Sequence, residues 1–132
     1  MALSIVIAII ENVAGELLIA RRQSHQTSAG KWEFPGGKVE EEEDLFTALK
    51  REIMEETNLN LHSAERVLSF PHYSPSTQLH LNVFFSKDFT GRAIGAEGQE
   101  IRWVKRSDLS LYPFPVANEK IIKWLTLALH SS

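Results

Sequence analysis

Residues 36–59 read GGKVEEEEDLFTALKREIMEETNL, and this stretch decides the fold because it holds a helix whose start, buried face and charge pattern can all be read. Asp44 is a capping residue, since its side-chain oxygen can accept from a free backbone N–H of the first turn. Leu45, Leu49 and Ile53 follow at i, i+4 and i+8, with Phe46 and Ala48 flanking, so one helix face is apolar and belongs to a core. Between Glu40 and Glu56 there are eight carboxylates against only Lys50 and Arg51. Glu40 to Glu43 and Asp44 lie near the helix start, where acids complement the macrodipole. Glu52, Glu55 and Glu56 lie in the last turns, where the dipole favours cations, and their spacing groups them together. Each misplacement costs only about 0.2–0.5 kcal/mol, but a local rule broken repeatedly in one place points to function.

The rest of the chain limits which function. At 132 residues it is expected to form a single domain, 1–132, long enough to close one core. Hydrophobic residues make up 43% and the formal net charge is −3. Lys and Arg cluster no further than pairs such as Arg21 and Arg22, so the basic footprint of a polynucleotide binder is missing. The absence of cysteine removes disulfides, thiolate metal sites and cysteine nucleophiles, and fits a reducing compartment. The opening ALSIVIAII is apolar but short, lacks a basic flank and is interrupted by Glu11 and Asn12. It reads as a buried strand rather than a signal peptide or membrane span.

No internal repeat or linker interrupts the chain. LSIVIAII and GELLIARR read as strands joined by the turn-rich ENVAG, which points to a hairpin. WEFPGGK reads as a short extended piece halted by Pro35 and two glycines. ERVLSFPHY and LHLNVFFSKDF are two further strands, GRAIGAEGQ is a loop, EIRWVK is a short strand and RSDL a single turn. NEKIIKWLTLAL is an amphipathic helix with Ile121, Ile122, Leu125 and Leu129 as its buried stripe. Helices interspersed with strands predict an α/β or α+β sandwich in which helices cover a sheet.

Taken singly, each glutamate near the end of the first helix reads as a solvated acid. Taken together, and preceded by a Pro-Gly-Gly turn, they make a hard-oxygen site suited to Mg²⁺, with Mn²⁺ as the alternative. Repulsion that is unexplained in the bare helix becomes affinity for a divalent ion. Arg51 can pair with Glu55 one turn on or reach back to Glu43, holding the carboxylates in place.

The run Gly37, Glu43, Arg51, Glu52, Ile53, Glu55, Glu56, Asn58, Leu59 resembles the signature of the Nudix hydrolases, G-x5-E-x7-R-E-U-x-E-E-x-G-U with U apolar. Only Asn58 departs from it, standing where the family has a glycine that ends the helix. Asparagine is the next most tolerated residue in the left-handed conformation expected there. WEFPGGK, GAEGQE and PFPVANEKI are similar to segments of the MutT-type members, which cleanse the nucleotide pool of oxidised guanine nucleotides. The resemblance implies a Nudix-type α/β/α sandwich with a central mixed β-sheet. It also implies Mg²⁺ bound by the Gly37 carbonyl, Glu52, Glu55, Glu56 and Glu97, and catalysis resting on Glu52, Arg51, Glu55 and Glu56. By itself Glu97 is an exposed loop acid.

The implied reaction is water attack on an inner phosphorus of a nucleoside triphosphate, giving monophosphate and pyrophosphate, with 8-oxo-dGTP as expected substrate. Glu52 either orients or deprotonates the water or serves only as a metal ligand. Arg22 reads as a phosphate contact or a surface ion pair; Phe34 as base-pocket wall or core; Asn118 as base reader or helix cap. Where MutT-type members carry an arginine between the two middle strands, this chain has STQLH without one. Hydrolysis of CTP, dCTP or modified pyrimidine triphosphates is the alternative within the family. A non-catalytic nucleotide-binding module is the alternative outside catalysis, and the presence of all three box carboxylates weighs against it. The expected partner is a small nucleotide, not a polynucleotide or membrane, for a monomer in the cytoplasm.

Overall fold

The computed structural model describes residues 2–130. In chain order the strands are β1 (Leu3–Ile10), β2 (Glu16–Arg21), β3 (Trp32–Glu33), β4 (Gly36–Lys38), β5 (Asn60–Ser74), β6 (Thr77–Thr90) and β7 (Ile101–Lys105). The helices are α1 (Leu45–Thr57) and α2 (Glu119–His130), with 3-10 turns at Arg106–Leu111 and Val116–Asn118. A mixed four-stranded sheet runs β4-β1-β6-β5, in which only the β1–β6 pair is parallel, and a smaller antiparallel sheet runs β3-β2-β7.

From Ile5 to Ile10 β1 is apolar because both of its faces are covered there. Ile7 and Ile9 enter one core with Leu81, Val83, Ile121 and Leu125. Val6, Ala8 and Ile10 enter the other with Phe84, Leu49 and Ile53. The two helices thus cover opposite faces, which is the expected α/β/α arrangement around a mixed sheet. In α2, Ile121 and Leu125 are buried and Ile122 is partly buried; the side chain of Leu129 lies outside the described residues. No helix among the described residues is long and apolar enough to cross a membrane.

The expected hairpin of β1 and β2 is corrected. The turn forms, with Asn12 Oδ1 accepting from the Ala14 and Glu16 N–H groups at 3.1 and 2.9 Å, but the strands pair only at the bridge Glu11–Leu17. Both edges of β1 are taken by β4 and β6, so β2 turns away into the second sheet. The two glycines do not halt WEFPGGK either. They continue it as β4, with Val6 opposite Gly37 and Ile7 opposite Gly36. Pro71 within β5 is tolerated because that strand forms the sheet edge.

Helix α1 begins and ends as its sequence dictates. Asp44 Oδ1 accepts from the Thr47 N–H at 2.7 Å, and Asn58 closes the helix at φ 64°, ψ 16°, its N–H donating to Met54 O. A β-branched side chain is strained in that left-handed conformation. Asn58→Val is therefore expected to cost about 1 kcal/mol or more and Asn58→Gly to be neutral or stabilising; thermal melts of the two variants check this, and equal stability of the valine variant would refute it.

Candidate active site

The C-terminal half of α1 faces β4, and one guanidinium organises it. Arg51 donates through Nε and Nη2 to the two Glu43 oxygens at 2.8 and 2.9 Å. Its Nη1 donates to Glu52 Oε1 at 2.8 Å and Glu55 Oε2 at 3.4 Å, and its Nη2 also reaches Lys38 O at 3.0 Å. Both pairings open to Arg51 from sequence are realised at once. The Arg51 hydrogen bonds, aided by the Glu40 N–H, hold the Glu43 carboxyl down at about 2. Arg51 thus fastens the segment before the helix to the helix and fixes one oxygen of Glu52.

The glycines of β4 form the opposite wall. A Cβ on Gly37 would lie 2.2 Å from Glu52 Oε2, so only glycine lets that carboxylate rest against the strand. Gly36 donates its N–H to Glu56 Oε2 at 2.9 Å. Burial pushes the Glu56 carboxyl up to about 9, and the charges of Glu33, Glu52 and Glu97 add to the rise. Burial also raises Glu52, opposed by the Arg51 hydrogen bond and charge, while Glu55 and Glu97 reinforce it. Glu52, Glu55, Glu56 and Glu97 therefore occupy a shared electrostatic field, with Glu97 contributed by the loop between β6 and β7. That loop is attached to the end of α1 by Ile94 N–H to Thr57 O and Ala96 N–H to Glu56 O, both 3.0 Å.

The convergence expected of the three α1 carboxylates is looser than a cage. Among the described residues, no group of three potential metal-binding side chains closes around a point. Like charges keep apart here, and Glu52 and Glu56 turn to separate donors, Arg51 and the Gly36 N–H. The donor set nonetheless fits a hard divalent cation. It is made of oxygen alone, and burial makes uncompensated negative charge at Glu56 unfavourable, which a proton or a cation relieves.

The residues expected to hold substrate are differently placed. Arg22 follows β2 and is internally engaged: Nη1 pairs with Glu33, Nε donates to Thr27 O at 2.5 Å and Nη2 to Thr27 Oγ1 at 3.1 Å. It anchors the loop after β2, so of the two readings the ion pair is the one present. Phe34 is 3% exposed and stacks on Phe114 with centroids 5.4 Å apart, which makes it a core residue whatever else it touches. Asn118 closes the second 3-10 turn and is 8% exposed. Its side chain makes no hydrogen bond among the described residues, and no capping bond.

Against this geometry, the NUDIX domain profile matches residues 1–125. The chain belongs to the Nudix hydrolases. It is 35% identical over 123 residues to the 8-oxo-dGTP diphosphatase of Haemophilus influenzae, covering 93% of this chain and 90% of that protein. It is 33% identical over 121 residues to the CTP pyrophosphohydrolase of Escherichia coli, covering 92% and 89%. A solved structure from work on MutT of Aliivibrio salmonicida and Vibrio cholerae matches with a TM-score of 0.85 at 35% identity, covering 95% of this chain and 97% of that one.

In this Nudix hydrolase one participant escaped the sequence reading. Glu33 of β3 holds Arg22 and lies close enough to Glu56 to raise its carboxyl, while burial raises Glu33 itself despite Arg22. The signal was an acid between Trp32 and Phe34, both buried. An ionisable residue alternating with buried aromatics on a short strand must find a partner on the other face.

Proposed function

We propose that this Nudix hydrolase is a divalent-cation-dependent nucleoside triphosphate pyrophosphohydrolase that converts 8-oxo-dGTP and water to 8-oxo-dGMP and pyrophosphate. The observation that carries the substrate choice is the amide of Asn118. Buried polar groups are ordinarily paired, yet this one has no partner among the described residues. Since no fully buried side-chain N or O lacks a partner there, the unpaired amide keeps an edge open to solvent and to a ligand. Its neighbourhood in PFPVANEKI and the similarity to 8-oxo-dGTP diphosphatases support the same reading.

The chemistry divides among the chain's own groups. Bound Mg²⁺ or Mn²⁺, held by Glu52, Glu55, Glu56, Glu97 and the Gly37 carbonyl, would neutralise phosphate charge and lower the pKa of a bound water. Glu52 would take a proton from the attacking water, a role supported by the burial that raises its basicity and by Arg51, which fixes one of its oxygens. Arg51 acts by holding carboxylates, its donors being committed to Glu43, Glu52, Glu55 and Lys38 O. Arg22 reaches a phosphate only by giving up bonds to Thr27 or Glu33, and Phe34 would form the wall behind the base.

Recognition rests on hydrogen-bond polarity. Guanine presents acceptors at O6 and N7, whereas oxidation at C8 puts a hydrogen on N7. The Asn118 amide can donate to O6 and accept from that N7–H, and against ordinary guanine its oxygen would face a lone pair. One such bidentate contact is worth about 1–3 kcal/mol. Asn118→Ala is therefore expected to shrink the kcat/KM preference for 8-oxo-dGTP over dGTP by about five-fold or more. A wild type without that preference, or a variant that retains it, would remove the assignment. The lack of an arginine in STQLH and the likeness to a CTP pyrophosphohydrolase favour cytidine triphosphates as the second reading, so CTP and dCTP belong in the same panel.

A further inference from the structure

The loop from residue 91 to 100 presents Glu97 at the active site. The residue is exposed, and its carboxylate makes no hydrogen bond or ion pair among the described residues. It lies within electrostatic reach of Glu52 and Glu56, and neither carboxyl holds it there. The restraint lies in the backbone, and Gln99 provides much of it. Gln99 Oε1 accepts from the Glu97 N–H at 2.9 Å, while Gln99 Nε2 donates to Glu56 O at 2.9 Å. The same Glu56 carbonyl accepts from the Ala96 N–H, and Gln23 Nε2 reaches Glu97 O at 3.4 Å from the loop after β2. The turn is closed tightly enough that a Cβ on Gly95 would lie 1.9 Å from Gln99 O.

We propose that Gln99 is the positioning residue for Glu97, its amide locking the backbone of Glu97 to that of Glu56 so that the two carboxylates are held as one unit. This rests on the reading that Glu97 acts in the site. The amide satisfies a polarity that few side chains match: an acceptor must meet the Glu97 N–H and a donor must meet the Glu56 carbonyl at the same reach. A glutamate in its place would set an oxygen against that carbonyl, and a leucine would offer neither group. The competing role is purely structural, since Glu56 O belongs to the last turn of α1, whose carbonyls need partners in any protein.

A mutant cycle of Gln99→Leu and Glu97→Gln in the full chain separates the two roles, reading Mn²⁺ affinity by electron paramagnetic resonance without nucleotide, kcat with nucleotide, and melting temperature. Removal of a group that orients a ligand ordinarily costs about 10- to 100-fold in affinity or activity. Gln99→Leu is expected to lower Mn²⁺ affinity and kcat by about ten-fold when Glu97 is present, and by no more than about two-fold in the Glu97→Gln background. Equal losses in both backgrounds would show that the amide serves the fold alone and overturn the proposal. If Glu97→Gln by itself changes neither affinity nor kcat, the reading of Glu97 fails and the proposal with it; an unimpaired Glu52→Gln variant would instead mark failure of the whole active site. Gln99→Met, of similar length and also without donor or acceptor, replaces the leucine variant in the cycle if that one does not fold.

Discussion

Glu52→Gln is expected to lower kcat by about 10²- to 10⁴-fold, the range associated with loss of a general acid or base, while leaving the protein folded. The geometry separates the two effects. The amide oxygen of glutamine can still accept from Arg51 Nη1, which now reaches Glu52 Oε1 at 2.8 Å, so the bond that secures the side chain survives. One negative charge is removed from the field shared with Glu55 and Glu97, which relieves repulsion rather than adding to it. Circular dichroism and melting temperature should stay close to wild type while pyrophosphate release nearly stops. At saturating divalent cation, which offsets the loss of one metal ligand, kcat and kcat/KM should fall together, as they do when an interaction made only in the transition state is lost. Turnover within a few-fold of wild type would sink the assignment of Glu52.

The largest expected effect on stability comes from a single methyl group. In Gly36→Ala the new Cβ would lie 2.0 Å from Val6 O, 2.8 Å from Ile7 Cα and 2.9 Å from Val6 C. All three are backbone atoms of β1, in the interior of the sheet, and none can rotate aside. β4 must draw away from β1, taking with it the Gly36 N–H that Glu56 accepts. Overpacking of this kind costs about 1–3 kcal/mol and occasionally more. We expect about 3 kcal/mol, read as a fall of roughly 10 °C in Tm, with activity reduced even where the variant is folded. At Gly37 the obstacle is the carboxylate of Glu52, a side-chain end that can turn, so Gly37→Ala is the control in which activity falls further than stability. A Gly36→Ala protein that melts with wild type would mean that β4 does not pack against β1 this closely.

What could be read in advance follows the range of the forces involved. The start of α1 at Asp44, its buried stripe and its left-handed stop at Asn58 depend on groups within a few residues of one another. The clustering of Glu52, Glu55 and Glu56 follows from helical spacing, and so does the reach of Arg51 to Glu55, while its hold on Glu43 spans the helix start. These are contacts that the order of residues imposes wherever the helix finally docks.

Strand partnership is not of that kind. Nothing near residues 3–10 marks β6 as the parallel neighbour of β1, because the matching surface is assembled from residues more than seventy positions away. An apolar strand with both edges competent takes whichever partners the rest of the chain delivers, and here those are β4 and β6 instead of the adjacent β2. For the same reason the glycines after Pro35 read as a stop but form a strand: their role is set by the backbone of Val6 and the carboxylate of Glu52 across the space they leave. The linkage of Arg22 to Glu33, the brace from Gln99 to Glu56 and the open amide of Asn118 likewise exist only once distant segments meet. By itself the sequence determined the helix, its caps and its acidic face, since local geometry suffices for these. The tertiary structure decided which strand meets which, and which polar groups are consumed internally or left for a ligand, since those depend on long-range contacts that no local pattern encodes.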